Sequence, residues 1–272
     1  MLGLGNSMVS GGSLESVLDL ATKVLHISGH SVTSSDVGGT QLVSSMENLV
    51  NGSSITVSQS TDDNKPVHNI AAKTVTFGYK SVGSEVPVLE LSSNITLTDG
   101  FTIIAAMSME TPGQQSQEVS NIVGSNVDAN NHSHLFVAGE DGENNTRFEL
   151  RADSSASGSN LSDFAGDELG EGNEIYNPHT FFLTKSAGAS ATVTMSSLFQ
   201  GQFAEEGSST AFDEDIDFVI GQIGGHMGGS TPGSNAAQGN MILYELLVYS
   251  EVLSENQLKE IGNYIRIKHT SL

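Results

Sequence analysis

Met241-Ile-Leu-Tyr-Glu-Leu-Leu-Val-Tyr249 is apolar on both of the faces that alternate along an extended chain, with Glu245 the one exception. Successive side chains of a strand point to opposite sides, so this run predicts a strand in the middle of a sheet covered on both faces. The residues that follow carry the clearest local signal. Ser254-Glu-Asn-Gln257 fits a capping box, and Leu253 and Leu258 occupy the two positions of a hydrophobic staple. A C-terminal helix is therefore expected over residues 254–268. Leu258, Ile261 and Ile265 form its apolar stripe, while Lys259, Arg266, Lys268 and His269 put positive charge toward the end where the helix dipole favours it.

Working outward, the same period of two recurs. Phe101, Ile103, Ala105, Met107 and Met109 share one face of a run, and Phe148, Leu150 and Ala152 alternate with charged residues in another. Similar runs lie near 23–28, 54–59, 74–79, 86–91, 132–138, 180–185, 191–199 and 217–221. That spacing suits an antiparallel sandwich rather than alternating strands and helices. Ser13 to Ala21 has a serine cap and apolar residues at Leu14, Val17, Leu18 and Ala21, the spacing of a short N-terminal amphipathic helix. Asp153 to Gly172 reads as the densest loop, able to sit inside one domain. The expected organisation is an N-terminal extension over 1–22 and a sandwich domain over 23–272.

Composition agrees with an all-β chain: 272 residues with 30 glycines, 5 prolines and neither cysteine nor tryptophan. Disulfides and zinc–thiolate sites are excluded. With 32 acidic residues against 10 lysines and arginines, the formal charge is −22. A phosphate backbone or an anionic membrane surface would be repelled, so no nucleic-acid partner is expected. No segment approaches the roughly 20 consecutive apolar residues that cross a bilayer, so no membrane insertion is expected. Met1 to Gly12 lacks the basic flank and apolar core of a signal peptide, which suggests synthesis in a cytoplasm.

The order "KVLHIS", "SITVSQSTDDNKPVHN", "TVTFGY", "LTDGFTIIAAMSM", "FVIGQIGG" and "QGNMILYELLVYSEVLSENQLKEIGNYIRIKH" resembles the LamG-like, concanavalin A-like lectin/glucanase jelly rolls of bacteriophage structural proteins. The final strand of that family carries a Gly-x-Ile-x-Glu-x-x-x-Tyr type pattern, matched here by Gly239, Ile242 or Met241, Glu245 and Tyr249. A Leu-Ser turn and a short helix with an aromatic follow, matched by Leu253, Ser254 and Tyr264. The opening "MLGLGNS" is similar to those of virion proteins of marine tailed phages. The chain departs from the family at His26-Ile-Ser-Gly29, where a Trp-Leu-Asp-Ala run is frequent. The resemblance implies an all-β jelly-roll sandwich of two antiparallel sheets, and a virion component as the first functional expectation.

Candidate chemistry is sparse. Asp213, Asp215 and Asp217 would share a strand face, but the Glu-x-Asp-x-Glu type arrangement that glucanases of this fold use is missing, so no enzymatic activity is expected. His132 and His134, with Asp128 and Asp141 in neighbouring turns, are the candidate metal ligands. No cofactor is required, although calcium is the ion that such oxygen-rich turns would take. Gly221 to Gly229 is glycine-rich but lacks the lysine of a phosphate-binding loop. For a glycan-binding adhesin, the alternative function, Tyr79 and Tyr176 are the candidate sugar platforms, with Phe181 and Tyr244 as further aromatics. Leu2, Leu4, Met8 and Val9 are apolar among glycines that lose much entropy on ordering, so a partner surface is expected to cover them. The expected partners are other virion proteins, cell-surface glycan and further copies of this chain on one particle.

Overall fold

The computed structural model describes residues 18–78, 87–109, 119–126, 133–140, 146–155, 158–166, 177–188, 191–209, 217–225 and 241–269. They form an antiparallel β-sandwich with one long helix at its end. The strands are β1 (Lys23–Ser28), β2 (Val32–Val37), β3 (Thr40–Met46), β4 (Val57–Ser58), β5 (Val67–Asn69), β6 (Thr74–Phe77), β7 (Val88–Leu97), β8 (Phe101–Met109) and β9 (Val119–Asn126). They continue with β10 (Ser133–Glu140), β11 (Thr146–Ser155), β12 (Gly158–Gly166), β13 (His179–Lys185), β14 (Val193–Phe199), β15 (Gln202–Ser209), β16 (Phe218–Gly224) and β17 (Met241–Tyr249). The helix α1 spans Glu255–Lys268. Among the described residues no helix is long and apolar enough to cross a membrane.

One layer runs β15-β14-β13-β8-β17, and β17 meets both β6 and β1 along its far side. The other runs β2-β3-β4-β7-β16-β9-β10-β11-β12. The β5–β6 hairpin joins them, because β5 pairs with β3 while β6 pairs with β17. Apolar residues of both layers interdigitate between them. Ile103, Ala105, Met107, Leu246, Val248 and Phe181 meet Leu89, Ile95, Phe136, Phe148 and Ile220 in one core. Phe148 and Phe181 bring their rings to 4.7 Å across it. A second core lies on the other side of the β17 layer, where Ile104, Phe182, Leu198, Leu247 and Tyr249 receive Leu258, Ile261 and Ile265 of α1.

The strand read as covered on both faces is β17, and α1 is one of its covers. Ser254 and Gln257 form the expected capping box, with Gln257 Oε1 accepting from the Ser254 amide at 2.8 Å and from its hydroxyl at 2.7 Å. Of the expected N-terminal helix, Leu18 is helical and packs against the second core, and the rest up to residue 17 lies outside the described residues.

Several strands carry no readable alternation. The expected loop from Asp153 to Gly172 contains β12, which returns against β11 with Phe148 opposite Phe164. The β2–β3 hairpin is Ser/Thr-rich and mostly exposed, yet Gly38 and Gly39 adopt φ of 63° and 90° between its strands. Positive φ at both central residues is the geometry whose twist matches paired strands. The run near 54–59 narrows to β4, because Asn48 to Thr56 is a loop.

Gly29 is a point of close approach, where a Cβ would sit 1.9 Å from the Lys73 carbonyl oxygen. Backbone must shift to admit it, so Gly29→Ala is expected to cost about 1–3 kcal/mol in urea unfolding, the range for overpacked sites. Ser254→Ala should cost about 1 kcal/mol by removing a cap.

Candidate functional site

Where β1 turns into β2, the chain passes through Gly29, His30 and Ser31, and the Gly29 amide donates to the Tyr244 carbonyl at 2.9 Å. Val32 and Thr33 then pair with Met46 and Ser45 of β3. The Glu47 amide donates to the Ser31 carbonyl at 3.0 Å, closing this end of the hairpin. The loop that follows is held by Asn48. Its Oδ1 accepts from the amides of His26 at 3.1 Å and Val50 at 3.3 Å, and its Nδ2 donates to Ser53 Oγ at 2.9 Å.

These segments and β4 border an open cleft of about 650 Å³. Its lining residues are His30, Ser31, Thr33, Ser45, Glu47 and Thr56, together with Val32 and Ile55, whose side chains pack against the inner core. The volume is that of a small-ligand site, typically about 300–1,000 Å³. Thr33, Glu47, Thr56 and His30 are exposed, while Val32 and Ile55 are half-buried.

Beneath the cleft lies a buried charge network. The His30 ring lies 5.0 Å from that of His269, at the end of α1. His269 Nε2 is 2.8 Å from Glu245 Oε2, while His26 Nε2 and Lys268 Nζ lie 2.6 Å and 3.0 Å from Glu245 Oε1. Glu245 is fully buried. Burial alone would raise its pKa, but hydrogen bonds from His26 and His269 and the charge of Lys268 outweigh that and bring it to about 2. An ionised carboxylate only accepts, so both histidines donate from Nε2. His30 is held below the ordinary histidine value by the partial cover of its ring, then by His269 and Lys268.

A β-bulge aims Glu245 at these donors. Leu243 opposes Met107 and Glu245 opposes Ala106, leaving Tyr244 as the extra residue. Tyr244 therefore lies under α1, edge-on to His269 at 5.6 Å, rather than on an open sugar platform. Phe181 is likewise a core residue. Lys268 and His269, expected to serve the helix dipole, are directed at Glu245.

The other sequence candidates fall as follows. His134 is buried, with Nδ1 accepting from the Val219 amide at 2.8 Å and its ring stacked on Phe218, so it does not stand on a polar strand face. Asp217 is exposed at the start of β16. Leu2, Leu4, Met8, Val9, Tyr79, Asp128, His132, Asp141, Tyr176, Asp213 and Asp215 lie outside the described residues. Among the described residues no three His, Asp or Glu side chains are grouped to hold a metal ion. None of the cleft residues was a candidate from sequence, because Ser, Thr and Asn abound in this chain. Only Glu245 carried a signal, as the single charge in an apolar strand.

No protein-family model matches the chain, and no curated protein matches it in sequence. Solved structures do match. A receptor binding domain aligns with a TM-score of 0.55 at 11% identity, over 93% of this chain and 52% of that one. The binding domain of botulinum neurotoxin serotype D/C aligns at 0.54 and 12% identity, over 92% and 53%. A structure titled for entry of botulinum neurotoxin type C, dependent on two ganglioside molecules, aligns at 0.50 and 11% identity, over 90% and 51%. The chain spans about half the length of these neighbours, and the likeness is one of fold.

The Glu245 network sets an acid limit. Its folded pKa lies below the ordinary 4.5, so its contribution is complete above that pH and is lost as pH falls toward about 2. Unfolding followed from pH 6 to pH 2 should show this loss, and Glu245→Ala should flatten it. Leaving His26, Lys268 and His269 without their acceptor should cost about 3–5 kcal/mol at neutral pH.

Proposed function

We propose that this chain is a non-catalytic binding domain that recognises glycans, with the cleft between β1, β2, β3 and the Asn48–Thr56 loop as its site. The observation that carries the reading is the cleft itself: hydroxyl-bearing residues and one carboxylate residue on a frame pinned by Asn48. Vicinal hydroxyls of a sugar hydrogen-bond with such groups. The sandwich neighbours support the reading at a coarse level, since their titles describe receptor-binding domains and one names gangliosides. Their binding role comes to this chain as part of the proposal.

A virion setting is a second reading, favoured by the sequence resemblance of the final strand and by the apolar, glycine-rich residues 1–12. In it the domain is displayed in several copies on a particle and attached through Leu2, Leu4, Met8 and Val9. Mass spectrometry of purified particles tests that setting; absence of the chain from them would remove it.

The glycan reading is tested by applying the purified chain to a broad glycan array and to intact cell surfaces before and after glycosidase treatment. Saturable binding to at least one glycan class, lost on enzymatic trimming, is expected. A folded chain that binds no glycan and no cell surface would overturn the reading.

A further inference from the structure

Building on the proposed glycan site, we infer that the cleft takes a neutral, hydroxyl-rich glycan segment and excludes sialylated or sulfated ones. The lining decides this. Its one carboxylate, Glu47, stands exposed at the cleft, and no lysine or arginine is among the lining residues. The nearby Lys268 is committed to Glu245, 3.0 Å away. His30 is the only lining group able to carry a positive charge, and the partial cover of its ring, then the neighbouring His269, Lys268 and Lys73, oppose its protonation.

The polar groups divide into frame and free. Asn48 has its oxygen and its amide nitrogen engaged in the loop, and Ser53 Oγ accepts from Asn48 and from the Ile55 amide. Thr33 and Ser45 stand opposite each other on one face of the β2–β3 hairpin, and no side-chain hydrogen bond engages them or the Thr56 hydroxyl among the described residues, which leaves them to a ligand. Hydroxyls both donate and accept, and a carboxylate accepts from two adjacent hydroxyl groups at once. A neutral sugar satisfies all of them. An anionic group would instead lose its water, meet Glu47 and find no lysine or arginine in the lining, a combination that rejects partners.

The experiment compares matched pairs of oligosaccharides, neutral against sialylated or sulfated, with the wild-type chain and with Glu47→Ala, Glu47→Lys and Thr33→Val. Both positions are exposed, so folding is retained, and thermal melts confirm it. Neutral members should bind at least tenfold tighter. Glu47→Ala and Thr33→Val should each weaken neutral binding several-fold, and Glu47→Lys should bring the anionic members within threefold of the neutral ones. Preference of the wild type for anionic members would overturn the inference and leave the glycan reading intact. Glycan binding indifferent to all three variants would also overturn it, by moving the site away from this cleft. If no glycan binds at all, the broader reading falls and the inference with it.

Discussion

The buried carboxylate of Glu245 constrains more of this molecule than any other group described. Taking such a charge out of water costs several kcal/mol unless donors surround it. Three do so, and they come from distant parts of the chain: His26 on β1, and Lys268 and His269 at the end of α1. The bulge at Tyr244 makes this arrangement possible. With regular alternation Glu245 would follow Met241 and Leu243 into the apolar space between the layers. The extra residue turns it outward, under the helix, and returns Leu246 and Val248 to the inner core. Apolar contacts alone could let α1 slide along its groove; the ion network fixes where it ends.

That placement reaches the cleft. His269 is held by Glu245 and packs against His30, which lines the cleft, while the amide of His26 donates to Asn48, which frames it. The cleft therefore rests on the same three elements that enclose the buried charge, and its shape depends on groups that no ligand would touch.

Which strands were legible follows from which faces are buried. In β8 every residue is buried and the odd positions are uniformly apolar, so the strand can be read directly. In β2 all six residues are exposed or half-covered with no apolar row, and β15 has Gln202, Ala204 and Ser208 exposed. Period-two alternation reports a difference between two faces, so a strand without that difference leaves no trace of it. The Gly38-Gly39 turn was the available signal for β2 and β3, since a two-glycine loop favours a tight hairpin. The capping box was legible because its partners are three residues apart. The partners of Glu245 were not, because His26 stands 219 residues away. The cleft had no signature either: its residues are common types drawn from three separated segments.

Glu245 and Tyr249 of the last strand have a physical meaning in the fold. Tyr249 and Leu253 lie in the core beneath α1, and Glu245 anchors the end of that helix. These residues thus record how a helix is fastened to a sheet, which is a property of the scaffold. Recognition must be argued from the surface, and there the cations are few. Among the described residues Lys65 pairs with Asp62, Lys259 with Glu255 and Lys268 with Glu245, Lys23 and Lys185 are buried, and Lys73 lies near His30. At physiological salt the field of remote acids fades over about 8 Å, so distant charge sets solubility and not the choice of ligand. In the proposed glycan site, selection would fall to the lining residues, Glu47 among them, which lie within that distance of a ligand.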